Sequence, residues 1–151
     1  MMRLKELGHV LLRVLDLERS KKFYSEVLGF RILEEDPEHG GTFMALEGQS
    51  HSIDLFQVQD AESAERQMPG VRGLGHIAFR VESEAGLKDA YATLREHGVE
   101  ITRTIDHVSQ KSIYFHDPDG NTLEIYYELP DALQIFARGR NDRDVPLALD
   151  R

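Results

Sequence analysis

Two histidines head two near-copies of one short segment. HVLLRV spans 9–14 and HIAFRV spans 76–81, and they agree at His, Arg and Val. Later in each half, HSIDLF (51–56) aligns over NTLEIY (121–126), which makes Asp54 the counterpart of Glu124. Each carboxylate sits among apolar neighbours. A carboxylate in such surroundings is costly unless it is paired, hydrogen-bonded or bound to a metal. Strand alternation puts His9, Leu11 and Arg13 on one face, and His76, Ala78 and Arg80 on the equivalent face of the second copy. Glu124 shares a face with Thr122 and Tyr126. If the copies pair about a pseudo-twofold axis, His9 and His76 converge and Glu124 joins them from the last strand. Two imidazoles and one carboxylate on one side of an ion form the facial triad of non-haem Fe(II) enzymes, with positions left open for substrate oxygens and dioxygen. A lone histidine on a strand is ordinarily a core or surface residue. Its recurrence at the same repeat position, with a carboxylate also repeated, is what favours metal binding.

These residues need elements to hold them. Each head segment is β-branched and apolar, follows a glycine (Gly8, Gly75) and reads as a strand. An amphipathic helix follows each. Leu17, Phe23, Tyr24, Val27 and Leu28 fall near a 3.6-residue period behind Asp16 as N-cap, and Leu87, Ala90, Tyr91 and Leu94 do so behind Ser83. Gly29 and Gly98 stop the two helices. Three strand-like runs come next in each half: 30–35, 41–47 and 51–58, then 99–105, 111–117 and 121–128. The unit is therefore β-α-β-β-β, used twice. Module one covers about 5–58, a polar linker about 59–73, and module two about 74–128. A short helix and tail occupy about 129–151. The whole is expected to act as a single domain, 1–151.

Composition narrows the partners. The chain has 151 residues, 40% hydrophobic and 30% charged, with a net charge of −9. That balance argues against nucleic acid and against an anionic membrane surface. No cysteine is present, so disulfides and thiolate metal sites are excluded and a metal must be held by His, Asp, Glu, Tyr or water. No apolar run approaches the roughly 18 residues of a membrane span, and the expected location is cytoplasmic.

GHVLLRV, FYSEVLGF, GLGHIAFRV and DPDGNTLEIYYE together resemble the vicinal oxygen chelate superfamily, over about residues 5–128. That superfamily includes glyoxalase I, extradiol dioxygenases, fosfomycin and bleomycin resistance proteins and methylmalonyl-CoA epimerase. The resemblance implies an α+β fold. Two βαβββ modules, related by a pseudo-twofold axis, form a half-open, barrel-like mixed sheet around a metal site. It also supports His9, His76 and Glu124 as ligands. The metal implied is Fe(II), and the same ligand set accepts Mn, Ni or Zn. Many relatives dimerise, and half-barrel sheets with open edges favour pairing, so a homodimer is expected.

Within the superfamily the chain is closest to the small extradiol dioxygenase-like branch. That branch places an acid–base histidine at the start of the first module's last strand, another histidine in the loop before the penultimate strand, and a tyrosine on that strand. His51, His107 and Tyr114 match these positions. A catechol-like aromatic diol would then be cleaved with dioxygen. Binding a catechol through both oxygens requires loss of protons to a nearby base. His51 could return one as the O–O bond breaks, while His107 and Tyr114 hydrogen-bond the substrate oxygens.

Two other chemistries remain open. A glyoxalase I-like isomerase, of the lactoylglutathione lyase type, adds a fourth carboxylate ligand where Asp54 stands. Asp54 and His51 are three residues apart and face opposite ways on a regular strand. Both serve one site only if His51 precedes the strand proper or a bulge intervenes. The third class is a drug-binding or fosfomycin/bleomycin resistance protein. Thiol transfer to fosfomycin would need a cationic clamp, for which Arg13, Arg80 and Lys111 are the candidates.

Overall fold

The computed structural model describes residues 2–60, 72–139 and 143–149. The chain divides into two compact units, Met1–Arg66 and Gln67–Arg151. Most of the expected linker, 59–73, lies outside the described residues.

The first unit follows the β-α-β-β-β order. Strand β1 (Val10–Val14) leads to helix α1 (Leu17–Lys22), which widens into a π turn over Phe23–Val27. Asp16 caps α1, its carboxylate accepting from the Arg19 amide at 2.9 Å, which satisfies a donor the helix leaves free. The π turn ends at Gly29, whose φ of 75° suits glycine. Tyr24 is fully buried there, edge-on to Phe23 and Phe30. Strands β2 (Arg31–Asp36), β3 (Gly41–Ala45) and β4 (Ile53–Gln57) complete the unit. The sheet order is β1-β4-β3-β2, with β1 parallel to β4 and the other pairs antiparallel.

The second unit repeats the plan. It comprises β5 (Ile77–Val81), α2 (Glu84–Glu96), β6 (Ile101–Asp106), β7 (Gln110–His116) and β8 (Thr122–Glu128). Ser83 caps α2 through the Gly86 amide at 3.0 Å. Leu87 and Leu94, two turns apart, are fully buried, each worth about 1.5–3 kcal/mol of apolar burial. Even the irregularities repeat: the register slips between Ile32 and Glu34 in β2 and between Ile101 and Arg103 in β6. The expected C-terminal helix is α3 (Ala132–Arg138). The tail then returns as β9 (Val145–Pro146), antiparallel to β6, so the second sheet runs β5-β8-β7-β6-β9. The protein is thus a mixed α+β fold with two open sheets and few helices. Among the described residues, no helix is long and apolar enough to cross a membrane.

Register sets what faces what. Asp54 lies opposite Leu11 and Phe43; Glu124 lies opposite Ala78 and Tyr114. The turn that aligns β7 with β8 is built by Asp117. Its carboxylate accepts from the amides of Asp119 (3.0 Å) and Asn121 (2.8 Å) and from the Asn121 side chain (2.8 Å). Gly120 supplies the positive φ, 81°. That turn locks Tyr114 beside Glu124, and a one-residue slip would turn both away.

Candidate metal and acid–base site

In the first unit, three side chains converge. His9 precedes β1, Asp54 is in β4, and His51 lies two residues before β4. The last placement removes the parity conflict, because a residue outside the strand need not alternate with it. His9 Nε2 and His51 Nε2 lie 3.6 and 3.8 Å from Asp54 Oδ2. The two rings sit 4.5 Å apart. One ligand atom from each of the three residues lies within 4.8 Å of the others. Two donors on one ion at bond lengths of about 2.0–2.2 Å stand roughly 3–3.5 Å apart, so this set needs little movement to close on a cation. Asp54 is 3% exposed, and its Oδ1 has no hydrogen-bond partner among the described residues. A buried, unpartnered carboxylate oxygen is expensive, and a divalent cation would satisfy it.

The second unit carries the other carboxylate. Glu124 is 2% exposed; its Oε2 is 3.0 Å from His76 Nε2. The Gln110 side-chain amide donates to Oε1 at 2.9 Å. Glu124 therefore keeps one oxygen oriented by Gln110 and turns the other toward His76, as an oriented metal carboxylate does. In the first unit His9, His51 and Asp54 fit a divalent cation; the second unit by itself offers one further histidine and carboxylate, His76 and Glu124.

Beside Glu124 lies a hydrogen-bonded chain. Tyr114 Oη is 2.9 Å from His107 Nε2, and His107 Nδ1 is 2.7 Å from Asp144 Oδ1. Burial pushes the Tyr114 phenol up to about 12, helped by the charge and hydrogen bonding of Glu124, while Arg103 opposes the rise. The Arg103 guanidinium lies over the phenol ring, 4.2 Å from its centre. His107 is held by an unusual backbone. Val108 has φ of 70°, rare for a β-branched residue, and the Ser109 amide donates to the His107 carbonyl at 2.8 Å. A three-residue turn of this hand is strained, and such strain collects at functional sites.

The expected residues thus form two clusters, one in each unit. His39 is a turn residue, 2.8 Å from Asp36 Oδ2, and it holds the Asp36 carboxyl below its usual value. His97 caps the end of α2 and His116 is exposed at the end of β7. The three candidate clamp cations are engaged elsewhere: Arg80 with Glu128 at 3.1 Å, Lys111 with Glu84 at 2.7 Å, and Arg13 over the Phe56 ring. Sequence reasoning missed Gln110, Arg103 and Asp144. Gln110 was findable, since alternation along β7 gives it the face of Ser112 and Tyr114. Asp144 had no local signal, being a single tail carboxylate far from His107 in sequence.

Relatives span several chemistries. A biphenyl-2,3-diol 1,2-dioxygenase of Rhodococcus globerulus is 29% identical over 135 residues, covering 87% of this chain and 69% of its own. A lactoylglutathione lyase of Schizosaccharomyces pombe is 28% identical over 143 residues, covering 80% of this chain and 46% of its own. A metallothiol transferase of Staphylococcus saprophyticus is 29% identical over 130 residues, covering 82% and 77%. A glyoxylase/bleomycin resistance protein/dioxygenase domain from Frankia superposes with a TM-score of 0.72 at 27% identity, over 85% of this chain and 95% of that one. The model for the glyoxalase/bleomycin resistance protein/dioxygenase superfamily matches residues 6–125, and the chain belongs to that superfamily.

Proposed function

We propose that the protein is an Fe(II)-dependent extradiol-type dioxygenase acting on a catechol-like diol. His9, His76 and Glu124 are the ligands in this reading. Bound Fe(II) would supply the redox activation of diol and dioxygen. The observation that carries the reading is the hydrogen-bonded His107–Tyr114 pair beside Glu124, with His51 gathered against His9. A diol needs such groups: one to take a hydroxyl proton, and donors to orient the remaining oxygen. His51 takes that role as acid–base group, and Tyr114, held by His107, hydrogen-bonds the substrate. Both oxygen atoms of dioxygen enter the opened ring. The dioxygenase relative supports the substrate class by its name.

A second reading has its own observation. Asp54 turns Oδ2 toward His9 and leaves Oδ1 without a partner among the described residues, as a fourth ligand would. That arrangement favours a glyoxalase I-like isomerase. The test is an assay of anaerobically purified, Fe(II)-loaded protein with a panel of catechols in air. A yellow ring-opened product with matching oxygen uptake is expected. In His51→Ala, metal should stay bound while turnover drops by about 10²–10⁴, the usual worth of an acid–base group. No colour and no oxygen uptake across the panel would sink the dioxygenase reading, and turnover of a hemithioacetal by Ni- or Zn-loaded protein would establish the alternative.

A further inference from the structure

β9 does more than close a sheet edge. Only two of its residues pair with β6, Val145 with Asp106 and Pro146 with Ile105. The contact is extended by the Leu147 amide donating to the Thr104 carbonyl at 3.1 Å, and by the Thr104 hydroxyl donating to the Leu147 carbonyl at 2.7 Å. Leu149 is buried beyond it, 8% exposed. The returning tail is therefore pinned, and the residue just before β9 is Asp144. Its carboxylate meets His107 Nδ1, and the opposite nitrogen of the same ring meets Tyr114. The His107 side chain is 12% exposed and Asp144 44%. Water has little access to the imidazole, so its two nitrogens are specified by these two partners.

We propose that Asp144 is a positioning residue: it holds the proton of His107 on Nδ1, so that Nε2 faces the Tyr114 hydroxyl as an acceptor. The proton position on a histidine is set by the hydrogen bond that its other nitrogen makes, and a carboxylate can only accept from Nδ1–H. The tautomer is thereby opposite to the one a free imidazole side chain favours. The consequence is directional. Tyr114 then gives its one hydrogen to His107 rather than to Glu124, and its oxygen is left to accept from a donor such as a diol hydroxyl. The Val108 turn fixes the backbone of His107, with the Val108 amide donating to Asp106 Oδ1 at 2.8 Å, and the tail fixes the ring. The second module's hydrogen-bonded His107–Tyr114 pair is thus completed by a segment outside the βαβββ repeat. This effect on turnover rests on the dioxygenase reading; the tautomer itself does not.

The experiment is two-bond proton–nitrogen correlation NMR on metal-free, full-length protein with labelled histidine at pH 8, with the His107 signals assigned by their loss in His107→Gln. The wild type should carry a proton on Nδ1 and none on Nε2. In Asp144→Ala the proton should move to Nε2. Asp144→Asn should restore the wild-type pattern, because the amide oxygen can still accept. A wild-type ring protonated on Nε2, or on both nitrogens, overturns the proposal, as does an unchanged pattern in Asp144→Ala. The wild-type spectrum decides this even if the alanine variant folds poorly. In a second arm, Fe(II)-loaded Asp144→Ala should lose about 10- to 100-fold in kcat, the usual cost of an orienting partner, with KM little changed and activity recovered in Asp144→Asn. An unmoved kcat with a shifted tautomer would overturn the positioning role. Absence of ring cleavage in the wild type would instead sink the functional reading and leave the tautomer result standing.

Discussion

The two modules place a histidine against a strand carboxylate in the same way and then part. In the first, Asp54 faces Phe43 across the ladder; in the second, Glu124 faces Tyr114. Around Asp54 the neighbours are two imidazoles at 3.6 and 3.8 Å and one oxygen with no partner among the described residues. Around Glu124, His76 stands at 3.0 Å and Gln110 holds the second oxygen. One methylene separates the two acids, and it decides how far each reaches. The shared geometry is a histidine set against a buried strand carboxylate. The differences lie around it: module one adds His51, set against His9 and Asp54, and module two a tyrosine–histidine–aspartate chain. The two units share their register, and the side chains at a few register-equivalent positions differ.

The sharpest way to break this comparison is to remove each acid in turn. Glu124→Ala should abolish stoichiometric metal binding and turnover. Losing a ligand outweighs the 10- to 100-fold that loss of an orienting partner costs. Asp54→Ala should keep most of its metal if the triad reading holds. Metal analysis after loading and desalting decides both. Undiminished metal in Glu124→Ala would sink the ligand assignment. Metal lost equally from the two variants would make Asp54 a fourth ligand and favour the isomerase.

A smaller contrast concerns packing at another equivalent pair. Gly41 faces Phe56 as Ser112 faces Tyr126. A Cβ on Gly41 would meet the Phe56 ring at 2.3 Å, and that ring also packs edge-on to Phe43. The position in module two already carries a buried side chain. Gly41→Ala should therefore cost about 1–3 kcal/mol by overpacking, whereas Ser112→Ala should cost less. Denaturant midpoints measure both, and equal losses would mean that Phe56 swings aside freely.

How much of this was legible follows from the physics of each feature. The repeat, the caps Asp16 and Ser83, the glycine stops and the strand order rest on local propensity and alternation, and those signals are written within a few residues. That Glu124 belongs with His76 was legible from the repeated histidine and carboxylate; the parallel pairing of β5 with β8 that brings them together was not. The placement of His51 needed the true start of β4, and the parity rule reduced that to two alternatives. Asp144 was not legible, because β9 pairs through two residues and one of them, Pro146, is a poor strand former. The strained Val108 turn was equally hidden, since valine is the last residue that propensity would put at positive φ.

The smallest effect concerns one proton and sharpens the contrast between Tyr114 and Phe43. Burial first, and then the charge of Glu124, push the Tyr114 phenol up from its ordinary value near 10 to about 12. A raised value means that the folded state holds this proton more tightly than the unfolded chain. The associated stability is complete below about pH 10 and is lost as pH rises through the folded value. Phenolate ultraviolet absorbance, taken as the difference between wild type and Tyr114→Phe, isolates this group from Tyr126, which burial also raises. In Glu124→Gln the charge contribution disappears and the burial contribution stays. The difference titration should then shift down toward 10 without reaching it. A curve unmoved by that substitution would mean that the phenol does not sense Glu124, and that the facing positions on β7 and β8 are neighbours in register without being coupled in chemistry.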